Sequence, residues 1–142
     1  MAISFNNHEV KFNLKNKKRI KNWIKRVIEE HKKSNGNISY IFTSENYILE
    51  INKKYLNHNY YTDIITFDYS SNELIEGDIF ISIDTVYSNS KKFKTNFNEE
   101  MLRVIIHGIF HLIGFKDKSK QQKLEMRELE NKAILYFNSL NE

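Results

Sequence analysis

The stretch from Glu99 to Ile113 constrains this chain more than any other. Met101, Leu102, Val104, Ile105, Ile106, Ile109, Phe110, Leu112 and Ile113 leave a helix there with almost no polar side. A helix that is apolar nearly all round belongs at the centre of a core, and the remaining segments must supply layers around it. Yet His107 and His111 lie inside the run, four residues apart. Side chains at i and i+4 leave the same helical face, so both imidazoles can reach one point. Gly114 ends the helix. Asp117 follows His111 by six residues, a loop short enough to fold a carboxylate back onto that point. Two imidazoles and a carboxylate around an open position form a catalytic zinc arrangement. Nickel or another divalent ion also suits this donor set. The competing reading is plain: such a histidine pair can arise by chance, and a buried histidine ordinarily satisfies one hydrogen bond. The position after His107 is Gly108, so the glutamate base of the zinc-protease helix His-Glu-x-x-His has no counterpart here.

The layers around this helix read as a mixture of strands and helices. Ile3–Phe12 alternates weakly, as one or two short strands. Lys17–Lys33 places Ile20, Trp23, Ile24, Val27 and Ile28 on one stripe, an amphipathic helix ended by the turn dipeptide Asn35-Gly36. Ile38–Thr43 reads as a strand. Ser44 reads as the cap of a helix to Tyr55, with Tyr47, Ile48, Ile51 and Tyr55 inward. Ile64–Tyr69 and Asp78–Ile83 are β-branched runs. Asp84 is expected to cap a helix over Thr85–Lys94, and Asn98 the central helix. Ser119–Leu140 is a last amphipathic helix, with Leu124, Leu129, Ile134 and Leu135 among its apolar positions. The expectation is an α+β fold, a small mixed β-sheet packed with helices around the histidine helix, with residues 1–142 as one domain.

Composition narrows the setting. The 142 residues include no cysteine, which removes thiolate metal sites and a disulfide framework. No apolar run approaches the ~20 residues of a membrane span, and the first residues lack signal-peptide patterning. A cytoplasmic location with no membrane contact is therefore expected. Residues 1–36 carry ten Lys/Arg against three Asp/Glu, and the remainder is slightly acidic. Such a basic region can meet phosphates. Lysine, asparagine and isoleucine are abundant throughout, however, so the excess also fits a general composition bias.

With these residues in view, a family resemblance is readable. HGIFHLIGFKD, His107–Asp117, resembles the signature His-Gly-x-x-His-Leu-x-Gly-Tyr-Asp-His of the YbeY family of rRNA maturation factors. His107, Gly108, His111, Leu112 and Gly114 match, and Phe115 stands for the aromatic. In INKKYLNHNYYTDIITF, Ile51–Phe67, the residues Asn52, Tyr55, Thr62, Asp63 and Phe67 keep the places of a second family block. Gly77-Asp78-Ile79 is similar to a third. The resemblance implies a zinc-dependent, single-strand-specific endoribonuclease acting in rRNA maturation and ribosome quality control. Its implied partners are precursor rRNA and ribosomal subunits. It also implies that Asp117, standing where relatives usually carry His, is the third ligand beside His107 and His111. Two rivals stay open: a zinc hydrolase of another substrate class, such as a peptidase, and a ribosome-associated protein whose metal only stabilises the core. The family's arginine in the second block falls at Leu56. His58 and Lys53 are the nearest candidates to replace it in catalysis, against a solvated surface role for each. Thr62 and Asp63 are candidate cleft residues, against strand-entry hydrogen bonding.

Overall fold

A computed structural model describes residues 2–56 and 62–140. Four strands form one mixed sheet: β1 (Ile3–Asn7), β2 (Ser34–Thr43), β3 (Ile64–Asp68) and β4 (Leu74–Ser82). Their order is β1-β2-β4-β3, with β1, β2 and β4 parallel and β3 antiparallel to β4 at the edge. Five helices complete the described fold: α1 (Lys17–Glu30), α2 (Glu45–Tyr55), α3 (Ile83–Lys92), α4 (Phe97–Ile113) and α5 (Lys120–Ser139). This is the expected α+β class. No helix among the described residues is long and apolar enough to cross a membrane.

The apolar helix is central. Along α4, Met101, Val104, Ile105, Ile106, Ile109, Phe110 and Leu112 are buried against Ile38, Tyr40 and Phe42 of β2, Ile75, Ile79 and Ile81 of β4, and the buried stripe of α1. The Tyr40 hydroxyl donates to the Ile105 carbonyl at 2.8 Å, which satisfies the one polar atom this ring brings into the core. Helix α5 closes the same layer: Trp23 of α1 donates from Nε1 to the Ala133 carbonyl at 2.8 Å. Helix α2 covers the β3–β4 half of the opposite sheet face, through Ile48 and Ile51 on Ile65, Phe67 and Phe80. Alternation along β3 thus sends Ile65 and Phe67 towards α2, and Ile64 and Thr66 into the cleft on the α4 side. The β3–β4 approach is close: a Cβ on Gly77 would stand 2.5 Å from the Phe67 carbonyl oxygen, so only glycine fits there.

Several boundaries differ from expectation, each for a local reason. Helix α1 stops before Asn35-Gly36, because Lys32 takes φ 62° and the Lys33 and Lys32 amides close on the Ile28 and Glu29 carbonyls. Asn35 then pairs within β2, next to a register shift. Helix α3 is capped by Ser82, whose Oγ accepts from the Thr85 amide at 3.2 Å. Asp84 instead accepts from the Glu45 amide at 3.1 Å and so serves the start of α2. Helix α4 is capped by Asn96, not Asn98; its Oδ1 accepts from the Glu99 amide at 2.7 Å. Tyr55, expected inward, is 61% exposed, and Leu135 of α5 is 71% exposed. On α5 the buried stripe runs instead through Met126, Glu130, Ala133, Ile134 and Phe137.

Candidate metal centre

The last turn of α4 builds the centre. The chain reverses at Gly114, where φ is 124°, a value that L side chains rarely adopt. The Phe115 amide reaches the Phe110 carbonyl at 2.9 Å, and the Gly114 amide reaches that of His111 at 3.1 Å. This reversal carries Phe115 and Asp117 back over the helix end. His107 and His111 face each other, with 2.9 Å between their Nε2 atoms. Asp117 Oδ2 lies 3.2 Å from His107 Nε2 and 3.5 Å from His111 Nε2. The three sequence candidates for metal ligation are therefore brought together; they form the group of donors with metal-binding spacing among the described residues.

The arrangement fits a metal on two physical grounds. Donors about 2.0–2.1 Å from a tetrahedral zinc stand about 3.3 Å from one another, close to the three separations found here. The outer ring nitrogens are also fixed so that the inner ones carry lone pairs. A carbonyl can only accept, so the 3.0 Å contact between His111 Nδ1 and the Phe115 oxygen places the hydrogen on Nδ1. His107 Nδ1 likewise donates to Glu130 Oε2 at 2.6 Å. Orienting partners of this kind hold metal-ligating imidazoles in tautomer and direction.

Electrostatics agree. Burial lowers the pKa of His111, and the neighbouring His107 lowers it further. At His107 burial also acts downward, but the hydrogen bond and charge of Glu130, with Asp117 and Asp63 behind them, carry the pKa above its ordinary value. The two facing imidazoles are thus shifted in opposite directions. A cation binds an imidazole only at an unprotonated nitrogen, so metal affinity should fall as pH drops.

The centre opens into a cavity of about 250 Å³ lined by Thr62, Asp63, Ile64 and Thr66 with His107, His111 and Asp117. Thr62 and Asp63 line the cleft, and both also make the strand-entry bonds of the competing reading: the Thr62 hydroxyl donates to the Ile64 carbonyl at 3.5 Å, and the Asp63 carbonyl accepts from the Ser82 amide at 2.9 Å. Burial raises the Asp63 carboxyl above the usual carboxylate range, partly offset by the charge of His107. Lys53 is exposed on α2 and does not line the cavity. His58 lies outside the described residues. Leu56, at the α2 C-cap, brings no charge. Glu130 was missed by sequence reasoning. Its signal was a carboxylate within the apolar stripe Met126–Glu130–Ala133–Phe137, where the same carboxyl also accepts from Arg103 at 3.1 Å.

If Asp117 is a ligand, its variants follow an order. Asp117→Ala leaves two protein donors and should weaken zinc binding severely, and Asp117→Asn, which loses the anionic oxygen, should also weaken it. Asp117→His supplies nitrogen from a similar reach and should retain most affinity. Competitive zinc titration of the four proteins reads this order; equal affinities would exclude Asp117 as a ligand.

An α+β domain with two imidazoles and a carboxylate converging at the mouth of a polar cleft defines a candidate metallohydrolase. Comparison with known proteins makes the class specific. A family model described as Endoribonuclease YbeY matches residues 2–138. An Endoribonuclease YbeY of Parabacteroides distasonis is 49% identical over 134 residues, covering 94% of this chain and 94% of the relative. One of Flavobacterium psychrophilum is 47% identical over 135 residues, covering 95% and 96%. A solution structure from Thermotoga maritima shares the fold, with a TM-score of 0.65 at 24% identity over 97% of this chain and 93% of that one. The chain belongs to the YbeY family of endoribonucleases.

Proposed function

We propose that this protein is a zinc-dependent, single-strand-specific endoribonuclease acting in rRNA maturation and ribosome quality control in the cytoplasm, with ribosomal subunits as partners. The observation that carries the reading is the convergence of three oriented lone-pair donors on a point open to a polar cleft. His107, His111 and Asp117 would hold the metal, Glu130 and the Phe115 carbonyl keep the imidazoles aimed, and Gly114 supplies the turn that returns Asp117. When bound, zinc would polarise a phosphate oxygen and lower the pKa of a water ligand towards ~7. Thr66 lines the same cavity and its hydroxyl can donate to a phosphate oxygen, whereas the Thr62 hydroxyl donates to the Ile64 carbonyl at 3.5 Å. Asp63, held above the usual carboxylate range, is positioned to accept a proton in the cleft.

The Asp63 role has a definite pH consequence. A raised pKa means that the base form is lost at higher pH than for an ordinary carboxylate. If Asp63 is the base, an acid limb of the rate profile should depend on it, and Asp63→Asn should lower kcat by about 10²-fold or more with metal content unchanged. A variant with the wild-type pH profile would remove Asp63 from the reaction.

The peptidase reading is disfavoured by Gly108. A Cβ there would stand 3.1 Å from Ile64 Cδ1 and from two Ile79 methyl groups, so this position faces the sheet rather than the cleft. Incubation of the purified protein with precursor rRNA and with a peptide library, beside His111→Ala purified identically, tests the proposal. RNA cleavage by the wild type alone supports it; intact RNA with cut peptides transfers the protein to the peptidase class.

A further inference from the structure

His107 and Asp117 form a wall shared by two cavities of opposite character. The β3-side cavity is lined by hydroxyls and a carboxyl, with no lysine or arginine among its described residues. On the other side, a cavity of about 230 Å³ is lined by His107, Asp117, Lys123, Met126, Arg127 and Glu130. Lys123 and Arg127 are one helical turn apart on α5 and share a face. Glu130 lies three residues further along that face, and its 2.6 Å bond to His107 Nδ1 locks the face against the centre. The buried stripe of α5, Met126, Ala133, Ile134 and Phe137 with Glu130, fixes the rotation of the helix and so the face that carries both cations.

The commitments of the nearby cations differ. Arg103 is spent on Glu130 Oε1 at 3.1 Å. Lys123 and Arg127 are exposed, and neither side chain makes a hydrogen bond or ion pair among the described residues. Arg127 acts on the Glu100 carboxyl only through its charge. Two uncommitted positive charges therefore line the α5-side cavity, and no described lysine or arginine lines the β3-side one.

A single nucleic-acid strand carries one negative charge per nucleotide. With one phosphate at the centre, its neighbours fall to either side. We infer that Lys123 and Arg127 form a phosphate subsite that holds the backbone next to the scissile phosphate, so that the strand crosses the centre from α5 towards β3. This inference rests on the nuclease reading. It gives the site a direction that three metal ligands alone lack, and it supplies the cationic contact that α2, with Leu56 at its end, does not.

The test uses zinc-loaded protein and a fluorescein-labelled single-stranded 2′-O-methyl oligonucleotide, with anisotropy recorded across a salt series, then cleavage kinetics on the unmodified RNA. Lys123→Ala/Arg127→Ala should make the slope of log affinity against log salt shallower by roughly 0.7 per cation removed. It should raise KM on the order of tenfold at low salt with kcat and zinc content close to wild type. Lys123→Arg/Arg127→Lys should restore both, and Lys91→Ala on α3 should change neither. A double variant with the wild-type slope and KM would overturn the subsite while leaving a wild type that cuts RNA as a nuclease. A wild type that binds the oligonucleotide through these residues but never cuts RNA would keep the subsite and overturn the nuclease reading.

Discussion

Replacing His107 and His111 together with alanine is expected to take the metal content from about one ion per chain to near zero, and RNA cleavage to background. Two of three donors vanish, and the remaining Asp117 carboxylate is too exposed to hold zinc alone. The fold should survive, because both rings stand at the cleft rather than in the sealed core, and alanine is the strongest helix former. Elemental analysis and a cleavage assay on one preparation check both outcomes. Unchanged metal content would sink the ligand assignment, and cleavage surviving metal loss would assign the activity to a contaminant or to different chemistry.

Glu130→Gln is the second change with a large expected effect, and it separates orientation from ligation. The carboxylate accepts from Arg103 at Oε1 and from His107 at Oε2, with side chains 14% and 19% exposed around a Glu130 that is 7% exposed. Glutamine has one acceptor and one donor end, so whichever way it lies, its NH₂ opposes either the guanidinium or the imidazole N–H. Breaking such a buried pair costs about 3 kcal/mol, and loss of the orienting partner should weaken zinc binding by about 10–100-fold. The pH dependence of the metal-free protein has a fixed sign. The His107 pKa is raised in the fold, so the stabilisation from its charged form is complete below the unfolded value of about 6.5 and is lost as pH rises through the higher folded value. The stability difference between wild type and Glu130→Gln should therefore be larger in mildly acidic than in mildly alkaline buffer, as thermal unfolding with a chelator would record. Equal differences at both pH values would show that Glu130 does not hold the His107 proton.

Local chemistry explains what the sequence made legible. The central helix was readable because its apolar residues cover nearly every side, and the His107–His111 pair because i,i+4 spacing is short-range geometry; Asp117 as the third candidate rested on the family resemblance. Ser44 caps α2 as its sequence suggests, and Ser119, the first residue of the expected last helix, proves to be the N-cap of α5. Where the reading slipped, two equivalent residues competed within one turn: Asn96 against Asn98, and Ser82 against Asp84. Either side chain can accept from an amide, and in the structure Phe97 and Ile83, the first residues of α4 and α3, pack against the core. Strand order is non-local and had no sequence signature. Glu130 bonds His107 across 23 residues, and only its place in an apolar stripe marked it. Lys123 and Arg127 were indistinguishable among 22 basic residues until α5 was set against the centre. Tyr55 and Leu135 are apolar yet exposed, which periodicity alone cannot foresee.

The central claim is that a metal held by His107, His111 and Asp117 drives RNA cleavage. Its most direct test strips the purified protein with a chelator and follows the cleavage rate of a single-stranded RNA while zinc is titrated back. The account predicts no cleavage by the stripped protein, and activity that rises linearly and saturates at about one equivalent of zinc per chain. Full activity in the stripped protein, or a metal-replete protein that leaves the RNA intact, would contradict it.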